Sequence, residues 1–405
     1  MTAPPKSLVP SLRVVGGAFE KFLALEAASG LVLVAATAIA LVWENSPFAW
    51  AYDAVFTHAV ALPFLGARTV RWLVNDGLMV VFFFVVGLEI RKEAYDGSLS
   101  DLRRAALPVV AAVGGMLAPA GAYLLLAGEP AIRRGWGVPM ATDIAFAVGV
   151  LVLLGRRVPP ALRVLLLAVA VIDDIGSIFV IAFFYSSGIA PLGLAVVGAS
   201  VLAILGLQAL SVRRPMAYVV PAFFVWAGTY GAGIHPTIAG VLLGALTPVK
   251  KAESEREAPS ERLVHALHPW VSFGILPVFA LANAGVPLGS VAADPQSVRV
   301  LAGVALGLGV GKPLGILVAS HLATRLGVAA LPWNLGFRHL VVLGLVAGIG
   351  FTMALFVADL AFAEPVSLVA AKLGILVASF VAAIVGVVAG RVLLPDPVAP
   401  EASRS

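Results

Sequence analysis

An apolar stretch from Ala161 to Tyr185 constrains the fold of this chain more than any other feature. About 25 apolar residues in succession form a helix long enough to cross a bilayer. Two adjacent aspartates, Asp173 and Asp174, lie near its middle. Because one charge at the bilayer centre costs roughly 3 kcal/mol on insertion scales, two in succession require a function or a partner.

Neighbouring side chains on a helix point about 100° apart, so both carboxylates can border one cavity without facing each other. Two carboxylates this close cannot both ionise easily, and such a pair can exchange protons for a cation near neutral pH. The alternative is a structural pair that neighbouring helices neutralise. We favour the exchange site.

Composition places the whole chain in the membrane. Of its 405 residues, 60% are hydrophobic and 12% are charged, whereas a soluble protein has about 25% charged residues. The absence of cysteine excludes disulfides and cysteine-based metal sites. The N-terminus has no short apolar core followed by a small-residue cleavage site, so we expect no removable signal peptide.

Twelve apolar spans are predicted, at roughly 23–43, 70–90, 105–127, 136–154, 161–186, 189–210, 216–231, 233–247, 269–289, 299–321, 339–362 and 366–394. An even number places both termini, including the tail at 1–22, on one side of the membrane. Connections on that side hold 20 lysines and arginines and the opposite loops hold 5, which predicts cytoplasmic termini. In the outside loop at 44–69, side chains alternate in polarity along the chain and Gly66 lies at a possible tip, which predicts a small hairpin.

Ionisable residues inside the predicted spans are the first candidates for function. They are Glu26, Asp76, Glu89, Asp143, Asp173, Asp174, His235, Lys312, Asp359 and Lys372. Four of them (Glu26, Glu89, Asp359 and Lys372) lie towards span ends, where reaching the interface is a sufficient explanation. Asp76 lines a water-filled entry or pairs with a neighbour. His235 senses pH or packs a helix end.

Two spans are predicted to be interrupted. Pro139 lies before Thr142 and Asp143 in the span at 136–154, and a mid-span proline leaves backbone groups free. The glycine-rich segment around Gly348 weakens the span at 339–362 in the same way. Interrupted spans in different halves of a chain indicate an inverted-repeat transporter with its ion site at mid-membrane. Asp143 is then an ion ligand or a neutraliser of helix termini, with equal weight.

Lys312 lies mid-span, where an unpaired ammonium would lose its proton. It therefore requires a carboxylate, and Asp173 or Asp174 is the candidate partner.

With these residues assembled, the sequence closely resembles the NhaA-type sodium/proton antiporter family. The matching motifs are NDGLMVVFFFVVGLEIRKE (75–93), GVPMATDIAFAVGVLVLLG (137–155), LLAVAVIDDIGSIFVIAFFY (166–185), HPWVSFGILPVFALANAGV (268–286), GVGKPLGI (309–316) and GIGFTMALF (348–356). Several specific motifs in the right order span most of the chain.

The resemblance implies an all-α polytopic membrane protein of about 12 helices, with inverted-topology repeats near 105–186 and 299–394 and two interrupted, crossing helices. The whole chain forms one transporter domain. It implies export of cytoplasmic Na⁺ or Li⁺ in exchange for H⁺ across a bacterial inner membrane. A homodimer is implied, and residues 57–70 could supply its hairpin.

The resemblance also assigns roles to residues. Asp174 is the principal cation ligand, and Asp173 is the second carrier, paired with Lys312 in one state. Supporting groups are Thr142 and Asp143, and Asp76 lies near the cytoplasmic funnel. Residues linked to the pH response are Glu89, Glu93, His235, His265 and His268. Val264 departs from the family pattern, because an acidic group of the pH cluster may occur there.

Two other classes of membrane protein are alternatives to the antiporter. An intramembrane aspartyl protease needs two aspartates that face each other from separate helices, whereas Asp173 and Asp174 are adjacent. A symporter or channel for another solute shares the fold but would not move protons against a Na⁺ jump. We expect a transporter with no enzymatic activity, no cofactor besides the transported ions and no nucleic-acid partner.

Overall fold

The computed structural model describes residues 28–62, 66–97, 101–186, 188, 190–251, 257–289, 294–332 and 335–395. The predicted tail at 1–22 and Glu26 lie outside these ranges. These described residues are mostly helical, with one short hairpin.

The helices of the described residues are α1 (Ala28–Glu44), α2 (Ala49–Thr57), α3 (Val70–Tyr95), α4 (Leu102–Leu126), α5 (Pro130–Met140), α6 (Ile144–Leu153), α7 (Pro160–Phe184), α8 (Pro191–Ala209), α9 (Met216–Gly231), α10 (Thr237–Leu246), α11 (Pro259–Asn283), α12 (Pro295–Arg325), α13 (Phe337–Ala347), α14 (Phe351–Ala361) and α15 (Pro365–Leu393). A short 3₁₀ turn at Gly155–Arg157 follows α6. Strands β1 (Ala59–Leu62) and β2 (Gly66–Thr69) pair antiparallel, with Ala59 opposite Thr69.

Seven of these helices are long and apolar enough to cross a membrane, or up to ten spans if each bent helix pair counts as one. The bent pairs are α1 with α2 at 114°, α5 with α6 at 47°, and α13 with α14 at 49°. An all-α polytopic membrane protein is confirmed. The count of twelve spans stays a prediction, because α9 and α10 are short.

The break between α5 and α6 has a local cause. Pro139 lies in the last turn of α5, and Ala141 and Asp143 then adopt extended backbone, with ψ of 148° and 105°. The break between α13 and α14 falls at Gly348–Gly350. A Cβ atom on Gly350 would lie 3.0 Å from the carbonyl oxygen of Ala141. Glycine therefore allows the two breaks to approach each other.

Small residues also join α3 to α10. A Cβ atom on Gly244 would lie 2.5 Å from the carbonyl oxygen of Phe84, and one on Gly87 would lie 2.5 Å from that of Val241. Backbones this close are typical of small-residue packing between membrane helices, where van der Waals contact replaces the hydrophobic effect. The contact fixes the position of α3, which has functional candidates at both of its ends.

Candidate functional site

The two helix breaks contact each other directly. The backbone N–H of Asp143 donates to the carbonyl of Ile349 at 2.7 Å. The hydroxyl of Thr142 lies 3.0 Å from the carbonyl oxygen of Ala347, the last residue of α13. Each predicted interruption coincides with a break between two bent helices, and each break satisfies backbone groups that the other leaves free.

Asp143 lies at the N-termini of two helices. Its Oδ1 atom accepts from the Phe146 N–H at 2.9 Å and caps α6. Its Oδ2 atom accepts from the Thr352 N–H at 3.0 Å, in the first turn of α14, and from the Thr352 hydroxyl. A carboxylate here offsets the partial positive charge of both helix ends. These contacts favour the neutralising role for Asp143 over that of a primary ion ligand.

Lys312 is paired with Asp173. Its Nζ atom lies 2.6 Å from Asp173 Oδ2, and neither side chain is exposed. Lys312 also donates to the carbonyl of Met140 at the C-terminus of α5, where the helix dipole favours a cation. The Thr142 hydroxyl lies 2.7 Å from the same Asp173 oxygen. Pairing of Lys312 with one of the two aspartates is confirmed, and the partner is Asp173.

Asp174 is 1% exposed and borders an internal cavity. Its Oδ1 atom and the Oδ1 atom of Asp173 are both buried without a hydrogen-bond partner among the described residues. Buried polar atoms are nearly always satisfied in proteins. Two neighbouring residues thus each present an unsatisfied carboxylate oxygen. Such oxygens are suited to bind protons or a hard cation, which prefers oxygen ligands.

This space, which we call the Asp174 cavity, has a volume of about 630 Å³. Its buried end is formed by Thr142, Asp143, Asp174 and Thr352. It extends to Lys92, whose side chain is 56% exposed, and to His265, at 69%. The lining includes four of the residues predicted to take part in a pH response, Glu89, Glu93, His265 and His268, together with Val264.

Asp76 and His235 lie elsewhere. Asp76 Oδ1 is 3.2 Å from His235 Nε2, and both are mostly buried. Asp76 belongs to the first turns of α3, whereas Glu89, about 20 Å further along that helix, borders the Asp174 cavity. Asp76 therefore lies at the opposite end of α3 from the Asp174 cavity, and its place on the ion pathway stays a prediction. The pairing alternative for Asp76 is the one observed.

The interface interpretation of Asp359 and Lys372 is also wrong. Their side chains are 15% and 7% exposed and form an ion pair of 2.8 Å between α14 and α15. Position within a span does not reveal which way a side chain points, so this pair could not be predicted from the sequence. Thr352 is a further missed site residue. Its hydroxyl in a weakened, glycine-flanked helix was the available signal.

Comparison with known proteins settles the family. The sequence profile of the family described as Na⁺/H⁺ antiporter 1 matches residues 20–389. The chain belongs to this family. It is 53% identical to the Na⁺/H⁺ antiporter NhaA 2 of Myxococcus xanthus (strain DK1622), covering 99% of this chain and 95% of that protein. It is 49% identical to the Na⁺/H⁺ antiporter NhaA 2 of Sorangium cellulosum (strain So ce56), covering 97% and 94%. It is 50% identical to the Na⁺/H⁺ antiporter NhaA of Acidovorax sp. (strain JS42), covering 90% and 89%.

Membership in the Na⁺/H⁺ antiporter 1 family places this integral membrane protein among transporters and not among enzymes. The protease alternative is thereby set aside. The described geometry is consistent with transport of a small ion, since Asp174, which has an unsatisfied carboxylate oxygen, lies at the end of a cavity that reaches the surface.

Proposed function

We propose that this protein exchanges Na⁺ or Li⁺ for H⁺ at Asp173 and Asp174, as a secondary active antiporter. One observation supports this more than any other. The two adjacent aspartates are buried, each has an unsatisfied oxygen, and one of them borders the Asp174 cavity. The names of the relatives are consistent with this exchange.

Lys312 acts as a tethered cation in this proposal. In the observed state it neutralises Asp173, while Asp174 is accessible from the cavity. An entering Na⁺ binds Asp174, and release of Lys312 from Asp173 supplies a second carboxylate. Protons arriving from the other side neutralise the aspartates and displace the ion, because the two carboxylates cannot hold both protons and a cation at full occupancy.

The cycle is electrogenic if two protons load for each Na⁺. It follows alternating access, in which inverted repeats near 105–186 and 299–394 move about the contacting helix breaks. Asp143 and Thr142 hold the broken ends together in this movement. Asp143 is a fixed acceptor for two helix N-termini, and Thr142 supplies a hydroxyl beside the carrier.

The pH response is proposed to act mainly at the Asp174 cavity. Glu89, Glu93, His265 and His268 share its lining with the ion site, so their charges change the local cation concentration. His235 contributes separately through its contact with Asp76, on the ion pathway at the other end of α3.

The chain is proposed to lie in a bacterial inner membrane with both termini in the cytoplasm, as its lysine and arginine distribution indicates. On that orientation the Asp174 cavity opens to the cytoplasm. The hairpin of β1 and β2 is the proposed contact of a homodimer.

The test is Na⁺-dependent dequenching of a pH-sensitive dye in proteoliposomes. Wild-type protein should move protons on addition of Na⁺ or Li⁺, whereas Asp174→Asn should not, with its melting temperature maintained. Asp96→Asn, at an exposed position after α3, is the matched control and should exchange normally. Undiminished exchange in Asp174→Asn would remove Asp174 from the mechanism. A wild-type protein that ignores Na⁺ would favour a symporter or channel for another solute.

A further inference from the structure

A second buried polar cluster lies apart from the Asp174 cavity. It consists of Asn75, Asn283, Asp359 and Lys372, which we call the outer cluster. Lys372 Nζ lies 2.8 Å from Asp359 Oδ1 and 3.4 Å from Asn283 Oδ1. The Asn75 amide donates to Asp359 Oδ2 at 3.0 Å, and the Asn283 amide donates to Asn75 Oδ1 at 2.7 Å. The carboxylate and amide oxygens thus converge on one lysine ammonium.

The outer cluster and the Asp174 cavity lie at opposite ends of the same two helices. On α3, Asn75 belongs to the outer cluster and Glu89 lines the cavity; on α11, Asn283 belongs to the outer cluster and His268 lines the cavity. The two residues on each helix lie about 20 Å apart along it. The backbone of α3 at Leu73–Leu78, which includes Asn75, is π-helical, a local irregularity that frequently marks functional sites.

An aromatic layer separates the outer cluster from the helix breaks. On α14, Thr352, Phe356 and Asp359 lie on one face, because their spacing is four and three residues. Thr352 contacts Asp143 at the breaks and Asp359 belongs to the outer cluster. The ring of Phe356 between them packs on Phe83 and Phe279, with centroids 5.1 and 6.2 Å away.

We propose that the outer cluster is a second cation subsite, through which the transported ion passes on the side of the membrane opposite the Asp174 cavity. Carboxylate and amide oxygens are the ligands that hard monovalent and divalent cations prefer. Lys372 occupies the position of the ion when the subsite is empty, as Lys312 does beside Asp173. The inference rests on the proposed exchange of Na⁺ for protons.

The alternative is that the outer cluster only stabilises the fold, and it predicts a different effect of substitutions on Na⁺ affinity. A buried ion pair is weak support for stability, since apolar residues of similar volume often do as well. If the outer cluster only stabilised the fold, removing either charge would impair the protein in the same direction. If Lys372 competes with the ion for Asp359, the two removals have opposite effects on the apparent Na⁺ affinity.

The experiment measures the apparent KM for Na⁺ at each face, using right-side-out and inside-out vesicles. The chain has no cysteine, so Ala59→Cys in the exposed hairpin next to α3 identifies the outer-cluster face with an impermeant maleimide. At that face, we expect Asp359→Asn to raise KM about tenfold, the effect of losing one charged ligand. Lys372→Met should lower it. At the cavity face both variants should match wild type.

Equal losses at both faces, or a shift in the same direction for the two variants, would overturn the subsite. Should a single variant fail to fold because one charge is left buried, the double variant Asp359→Asn/Lys372→Met removes both. It should raise KM at the outer-cluster face alone, and an unchanged KM there would equally overturn the proposal. Failure of wild-type exchange would instead contradict the proposed function, so the two failures are distinguishable.

Discussion

The ammonium of Lys312 lies 2.6 Å from the carboxylate of Asp173, with both side chains fully buried. The pair joins α12 to α7, and Lys312 also ties α12 to the end of α5 through the Met140 carbonyl. The Lys312 side chain therefore connects α12 to Asp173 on α7 and to the C-terminus of α5. Its removal has consequences for both stability and transport.

Lys312→Ala should destabilise the protein by roughly 3–5 kcal/mol, because it leaves Asp173 buried without its counter-charge. It should also change the apparent Na⁺ affinity. The measurement is thermal unfolding in detergent, with Lys251→Ala at an exposed position as control. An unchanged melting temperature would mean that the pair contributes nothing in the detergent state.

Thr142→Val keeps the shape of the side chain but removes the hydroxyl that lies between Asp173 and the Ala347 carbonyl. Since loss of a buried hydrogen bond costs about 1–2 kcal/mol, we expect a modest fall in melting temperature and a raised KM for Na⁺. Thr142→Ser retains the hydroxyl and should restore both. A normal KM in Thr142→Val would place the hydroxyl outside the ion site.

Competition between Na⁺ and protons should appear in the pH dependence of transport. As pH falls, more protons occupy the aspartates, so the apparent KM for Na⁺ should rise by up to about tenfold per pH unit for each competing proton. Currents on a solid-supported membrane, recorded against Na⁺ concentration at several pH values, measure this. A KM independent of pH would contradict simple competition and leave a separate gate. Exchange without current would indicate one proton per Na⁺.

Val264→Glu tests the pH response. Val264 lines the Asp174 cavity beside His265, and a carboxylate there would add negative charge to the lining. Because negative charge raises the local concentration of protons and other cations, the midpoint of the activity profile should move alkaline by about half a unit or more. Val264→Gln, which adds similar volume without charge, is the control. An identical shift in both variants would attribute the effect to packing.

Much of the fold could be predicted from the apolar stretches of the sequence and from the glycines and prolines that end or interrupt them. The boundary predicted between the spans at 216–231 and 233–247 coincides with a turn between α9 and α10, where Gly233 has a φ of +78°. The hairpin around Gly66 is present as well. Local chemistry determines both features, so a single sequence reveals them.

Only some of the buried polar contacts could be predicted from the sequence. Lys312 could be matched with an aspartate because it is the only cation predicted at mid-membrane, where an unpaired ammonium would lose its proton. Asp76 with His235, and Asp359 with Lys372, each join different helices. Their pairing depends on how helices rotate and pack, which hydropathy does not report.

The hydrogen bonds from Thr352 to Asp143 connect residues 209 positions apart. During synthesis, α5, α6 and α7 are therefore complete well before Thr352, which donates to Asp143, or Lys312, the counter-charge of Asp173, has been translated. The cluster around the helix breaks can accordingly assemble only late in biogenesis. A chain truncated before α12 would carry both aspartates without either of these partners.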